Sequence, residues 1–194
     1  MTDLPLDPIA IDVGSLVQRT VASLYSHLVT RQTGRAVRMA IESQLSEAGR
    51  STLSLVDLSE VTILDFSCAD EVVAKLIQAH APGQGARDAF FVFRGVTEPH
   101  RDQIEVVLER HGLLAVAETE PGRFELLGIR SDAEARAWST VEERGLVGHE
   151  EVDTLLEDGE ARQALETLVG RHVIFRSPIS GRYHALSRLV DRLM

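Results

Sequence analysis

The sequence predicts an α/β fold: a largely parallel sheet with helices packed on it, followed by a smaller unit of three helices and a hairpin. Three observations predict it. Apolar, strand-like segments at 52–58 and 89–93 alternate with segments of helical spacing, the pattern of layered α/β architecture. Residues 52–58 are apolar on both of their alternating faces, as a strand buried between two layers is. Beyond residue 129 the character changes to three short amphipathic stretches and two short strands around Ser177-Pro178-Ile179-Ser180-Gly181.

Residues 1–7 are polar and Pro-containing, so a loose start is expected. Ile9, Ile11 and Val13 alternate with small or acidic residues, an edge-strand pattern. From Gly14 the spacing turns helical, with Leu16, Val17, Val21, Leu24 and Leu28 in one stripe interrupted at Thr33-Gly34. Val37, Ala40, Ile41 and Leu45 carry a second stripe to Ala48-Gly49. After the strand at 52–58 and an apolar burst at 61–64, a helix is expected over 67–80, with Val72, Val73, Leu76 and Ile77 facing the sheet. Ser67 is well placed as its N-cap, with Asp70 completing a capping box. The run Ala81-Pro82-Gly83-Gln84-Gly85 reads as a loop.

Residues 89–93 supply the next parallel strand. Ile104, Val106, Val107 and Leu108 place a helix over 98–111, with Gly112 just past its C-cap. Segments 113–119 and 123–127 flank the turn Glu120-Pro121-Gly122 as a hairpin. Ala133, Ala137, Trp138 and Val141 define a helix that starts at Ser131 or Asp132 and stops before Gly145. Residues 149–156 give a second, and Ala161, Ala164, Leu165, Leu168 and Val169 a third, after the turn Asp158-Gly159. Residues 173–176 and 182–186 form the closing hairpin. Two units are therefore expected, 1–129 and 130–194.

Composition narrows the classes of function. With 194 residues and 44% hydrophobic content the chain can bury a real core. Its net charge of −10 argues against a broad nucleic-acid or anionic-membrane surface. Cys68 is the single cysteine, so no disulfide framework is expected. The opening segment lacks the charged and apolar pattern of an export signal, and no apolar run is long enough to span a membrane. The expectation is a reduced, cytoplasmic protein. The seven His residues are scattered singly and no Gly-rich loop fits a phosphate-binding or dinucleotide pattern, so neither metal nor cofactor is expected.

The stretch 54–75, SLVDLSEVTILDFSCADEVVAK, runs an apolar strand through Asp57-Leu58-Ser59 into Asp65-Phe66-Ser67-Cys68 at a helix start. It resembles the STAS domain of anti-sigma-factor antagonists and sulfate-transporter tails, where a strand ending in Asp-Leu leads to Asp-Ser-Ser-Gly opening a helix. It is more closely similar to a STAS-like branch of unassigned function whose turn reads Asp-Phe, a small segment, then Ala-Asp-Glu. Ala69-Asp70-Glu71 fits that version, while Phe66 and Cys68 stand where the antagonists have their first serine and their glycine.

The resemblance implies a STAS-like fold and a turn that docks a protein partner. In the antagonist family a kinase-like anti-sigma factor phosphorylates the second serine of this turn, which by position is Ser67. Asp57, Asp65, Ser67 and Asp70 are the candidate switch and partner-binding residues. Read from chemistry alone, Ser67 also suits a simple helix cap. Asp57 and Asp65 suit either paired carboxylates or turn residues that satisfy local amides. Cys68 is read as a small buried hydrophobe.

Three short helices followed by a hairpin resemble a winged helix-turn-helix domain. That likeness implies possible DNA contacts at Arg162, Gln163 and Thr167 on the third helix and at Arg176, Arg182 and His184 in the wing. Over residues 131–194 eight Arg face twelve Asp and Glu, although from Arg171 onward five Arg face Asp191 alone. The leading expectation is a non-catalytic bacterial regulatory protein acting through protein–protein interaction in signalling or transcription control. A DNA-binding regulator comes second, and a small-ligand binder or enzyme at the strand-end pocket third.

Overall fold

The computed structural model describes residues 7–12, 27–46, 51–82 and 88–191. They form a mixed α/β structure. Strands β1 (Asp7–Asp12), β3 (Ser51–Asp57), β5 (Asp88–Arg94) and β6 (Ala115–Glu120) pair in parallel in that order, and β7 (Arg123–Leu127) closes the sheet antiparallel to β6. A short parallel pair joins β2 (His27–Leu28) to β4 (Ile63–Leu64). Helices α1 (Arg31–Ser46), α2 (residues 66–79) and α3 (Glu98–His111) lie between the strands.

Among the described strands the order never reverses. Each parallel strand is added on the same side of its predecessor, and right-handed crossovers then place every connecting helix on one face. Side chains divide accordingly: Val56, Phe91, Phe93, Ala115 and Ala117 share a core with α1, α2 and α3, whereas Leu53, Leu55, Phe90, Val92, Leu114 and Val116 point the other way. A sheet apolar on both faces needs a second cover.

Residues 132–190 supply it. Helix α4 (Asp132–Arg144), β8 (Leu146–Val147), a 3₁₀ turn (His149–Glu151), α5 (Val152–Leu155), α6 (Gly159–Gly170), β9 (Ile174–Arg176), β10 (Tyr183–Ala185) and α7 (Leu186–Val190) follow in order, with the strands paired β8-β10-β9 in a small antiparallel sheet. Trp138, Leu165, Leu168, Ile174, Phe175 and Leu189 join the core on the second face. Phe175 meets Phe90 edge-on at 5.4 Å between ring centroids, a geometry favoured by the ring quadrupoles. The change of sequence character near residue 129 thus marks where the chain crosses from one face to the other.

Most element ends follow local chemistry. Ser131 caps α4 in a reciprocal capping box with Glu134. Gly112 ends α3 at φ 63°, the left-handed conformation glycine adopts without cost.

Other expectations shift. Leu28 sits in β2, buried against the core, and not in a helix, while residues 13–26 lie outside the described residues. Helix α1 begins at Arg31, where the Thr30 hydroxyl accepts the Thr33 N–H at 3.1 Å, and runs unbroken through Gly34. Leu186 opens α7 and does not end a strand, because Leu186, Leu189 and Val190 are buried at helical spacing.

Candidate functional site

The acidic turn is built from β3, β4 and the start of α2. Asp57 Oδ1 accepts the Ser59 N–H at 2.8 Å, and Asp65 Oδ1 accepts the Cys68 N–H at 2.8 Å. Each carboxylate therefore closes its own turn, as short acidic side chains do. Asp65, in extended backbone, is the N-cap of α2, and the Ser67 hydroxyl donates to the same oxygen at 2.9 Å. The cap expected at Ser67 thus lies two residues earlier. Phe66 accounts for the shift: as the first helical residue it packs on the helical core, with the Arg110 guanidinium 5.8 Å from its ring centroid. Ser67 is half-buried. Cys68 is buried, its thiol donating to the Thr30 carbonyl at 2.9 Å; burial, then the Asp65 charge, pushes it up to about 12. A thiol so raised is unreactive at neutral pH.

Beside this turn the β2–β4 pair presents an apolar surface. Leu28 and Leu64 point inward and are buried, so their neighbours point outward by strand alternation. Val29 and Ile63 are 47% and 45% exposed. The Asp65 N–H bonds to the Leu28 carbonyl at 2.8 Å, which fixes the acidic turn directly against the two exposed residues.

Helix α2 is not uniform. Between α-helical Phe66–Ala69 and Leu76–Ala79, the segment Asp70–Lys75 is π-helical, a rare widening that often coincides with functional positions. It turns Asp70 and Glu71, neighbours in sequence, both into the interior at 5% and 2% exposure. Asp70 accepts from Arg31 Nη1 at 2.7 Å and from His111 Nε2 at 2.7 Å. Glu71 accepts from Arg31 Nη1 at 3.1 Å, from Arg38 Nε at 3.2 Å and from Lys75. Burial works to raise both carboxyl pKa values, but Arg31 and His111 at Asp70, and Lys75, Arg38 and Arg31 at Glu71, hold them below the ordinary range. The cluster ties α1, α2 and α3 together.

Asp70 is therefore neither a capping-box partner nor an exposed docking residue. The sequence reading missed Glu71, Arg31, Arg38, Lys75 and His111. No signal in the sequence marks them: residues 70–74 read Asp-Glu-Val-Val-Ala, and that all five are buried is seen only in the structure.

His100, in the first turn of α3, is 1% exposed. Its ring faces the backbone of Gly95, Thr62 and Val61, but neither nitrogen makes a well-formed hydrogen bond. Burial depresses its pKa below 6.5, and those carbonyls only partly offset it. The unfolded chain then takes up the proton first, so stability is complete above pH 6.5 and falls as pH drops through the folded value. His100→Leu is expected to flatten this loss in thermal melts below pH 6.5. An unchanged pH profile would contradict the assignment.

At the carboxyl ends of the parallel strands a small pocket of about 160 Å³ is lined by Ser59, Arg94, Gly95 and Glu118. Glu118 is buried and paired with Arg94 at 3.1 Å. Ligands in open α/β sheets bind where strand order reverses, and among the described strands the order does not reverse, only the direction of the edge strand β7.

On the second face, Arg162 pairs with Asp153 at 2.6 Å. Arg176 pairs with Glu166 at 3.3 Å and lies 5.4 Å from the Tyr183 ring centroid. Gln163, Thr167 and Arg182 are exposed, and His184 is half-buried with its ring 5.7 Å from Phe175. Ile179, at the tip of the β9–β10 connection, is 74% exposed.

Among the described residues no group of three or more His, Cys, Asp or Glu side chains could hold a metal ion, and no helix is long and apolar enough to cross a membrane. No family model, curated protein or solved structure matches this chain.

Proposed function

We propose that the chain is a non-catalytic bacterial regulatory protein that works by protein–protein interaction in signalling or transcription control, with a STAS-like first part related to anti-sigma-factor antagonists. The docking surface is the acidic turn Asp65–Ser67 together with Val29 and Ile63. One observation carries this reading: two exposed aliphatic side chains lie beside a turn whose carboxylates are already satisfied by their own backbone. An apolar centre with a polar rim is how recognition surfaces are built. Carboxylates tied up in turns are poorly placed for acid–base chemistry. Asp57 supports the loop, Asp65 fixes the turn, Ser67 sits at its edge, and the Asp70–Glu71 cluster holds the helix behind it. A kinase-like anti-sigma factor is the kind of partner this predicts, with Ser67 as the residue it modifies.

Ile63→Arg is expected to abolish co-purification of the partner while changing stability by no more than about 0.5 kcal/mol, since the side chain is half exposed. Ser67→Asp is expected to weaken the same interaction, because Asp65 is adjacent. Capture unchanged in both variants would overturn the docking surface.

The alternative, a DNA-binding regulator using a winged-helix-like second part, rests on the exposed Arg182 and Ile179 at the β9–β10 connection. It is disfavoured because Arg162 and Arg176 spend their charge on Asp153 and Glu166. No retention on heparin is expected at about 50 mM salt, where counterion release is strongest. Retention that disappears in Arg176→Ala with Arg182→Ala would establish the DNA-binding reading instead.

A further inference from the structure

At the amino ends of the parallel strands, away from the turn that follows β3, a cleft of about 190 Å³ opens between the starts of β5 and β6, the end of α2 and the α6–β9 connection. Ile77, Phe91, Leu113 and Val173 make it apolar, and among the described residues its polar side chains are Arg171 and His172. Protein interiors leave few voids larger than a water molecule. An apolar cavity of about 150 Å³ is enough to take up benzene.

The two polar groups set the chemistry of an occupant. Arg171 is committed, Nη1 to Glu134 at 2.9 Å and Nη2 to the Gly112 carbonyl at 2.8 Å. His172 Nδ1 lies 3.1 Å from the Ala89 carbonyl oxygen. A carbonyl only accepts, so Nδ1 carries the proton and Nε2 is left as a lone-pair acceptor. Nε2 has no protein partner among the described residues. The ring is fixed over Phe90 at 4.5 Å between centroids, and burial depresses its pKa below 6.5. His172 is also the one non-glycine residue of positive φ among the described residues, at 57°, a conformation that most side chains avoid.

We propose that this cleft binds a small neutral molecule about the size of one aromatic ring, carrying a single hydroxyl or N–H donor directed at His172 Nε2. Size follows from the volume and neutrality from a lining with no uncommitted charge among the described residues. The donor follows from the bare acceptor. Since the walls come from α2 and from the α6–β9 connection, an occupant touches elements from both faces of the sheet. The site stands independently of the docking surface.

Phenol, toluene and benzoate are the probes, titrated into the full chain while Ile, Leu and Val methyl groups are observed by NMR. Phenol is expected to shift the methyls of Ile77, Leu113 and Val173 saturably, with Kd at or below about 1 mM. Toluene, lacking the donor, should bind about tenfold more weakly. Benzoate should not bind, as its charge finds no counter-ion. Ala81→Phe, which fills the cleft from its half-buried rim, is expected to abolish binding. His172→Gly suits the backbone conformation and should bring phenol down to the level of toluene. Absence of methyl shifts with every probe at about 10 mM in the folded wild-type chain, or equal affinities for phenol and toluene, would overturn the proposal. The probe comparison needs no variant, so a misfolded variant leaves it decisive.

Discussion

Replacing Glu71 with alanine is expected to lower the unfolding free energy by about 3 kcal/mol. The carboxylate is buried and accepts hydrogen bonds from Arg31, Arg38 and Lys75. Without it, Arg31 and Lys75 keep Asp70 and Arg38 keeps Glu42, but all three lose their shared buried acceptor, and a buried donor without its partner is costly. The figure sits at the low end for a broken buried pair because the Arg31 and Lys75 side chains are 48% and 37% exposed and can turn to water. Urea midpoints at constant slope measure the loss. A value under about 1 kcal/mol would mean that the cluster behaves as exposed surface pairs do. Because Asp70 and Glu71 are held below their unfolded values of 3.8 and 4.5, the contribution is complete at neutral pH and disappears as pH falls through the folded values.

Gly34→Ala is expected to destabilise the protein by about 1–3 kcal/mol, the usual range for overpacking, even though alanine in a helix interior ordinarily gains about 1 kcal/mol over glycine. A Cβ on Gly34 would lie 2.8 Å from the Cys68 Cα and 3.2 Å from the Glu71 Cβ. The nearest obstacle is backbone, so α1 itself must move away from α2. Such a shift would draw Arg31 and Arg38 off Glu71 as well, coupling this substitution to the first one. A measured stabilisation would show that the two helices are not in close contact at this crossing.

Much of the layered fold was legible in the sequence because the strongest signals are local. The apolar runs at 52–58 and 89–93, the helix at 98–111 with its glycine terminator, and the helix start at Ser131 or Asp132 all appear as read. What escaped depends on tertiary context. Ser67 and Asp65 have similar capping preferences, and only the packing of Phe66 on the helical core selects Asp65. Asp70 and Glu71 look like solvated residues of a first helical turn. Their burial follows from the π-helical widening and from cations on α1 and α3, dozens of residues away in the chain for Arg31, Arg38 and His111.

The proposed docking surface was legible only in part. Asp65 and Ser67 share one turn while Asp57 closes its own with Ser59, and Val29 and Ile63 gain their meaning only once β2 pairs with β4. Neither short strand has the length to announce itself by alternation. The second cover of the sheet was visible as a change of composition at residue 129, but composition alone does not reveal a shared core.

Photocrosslinking from single positions probes the proposed docking surface most directly. A photoreactive side chain at position 63 or 67, in cells of the source organism, is predicted to form an adduct with one partner protein, and Val29→Arg should remove it. The same probe at position 179, on the far connection, should form none. Adducts confined to position 179, or none at 63 and 67, would contradict the account.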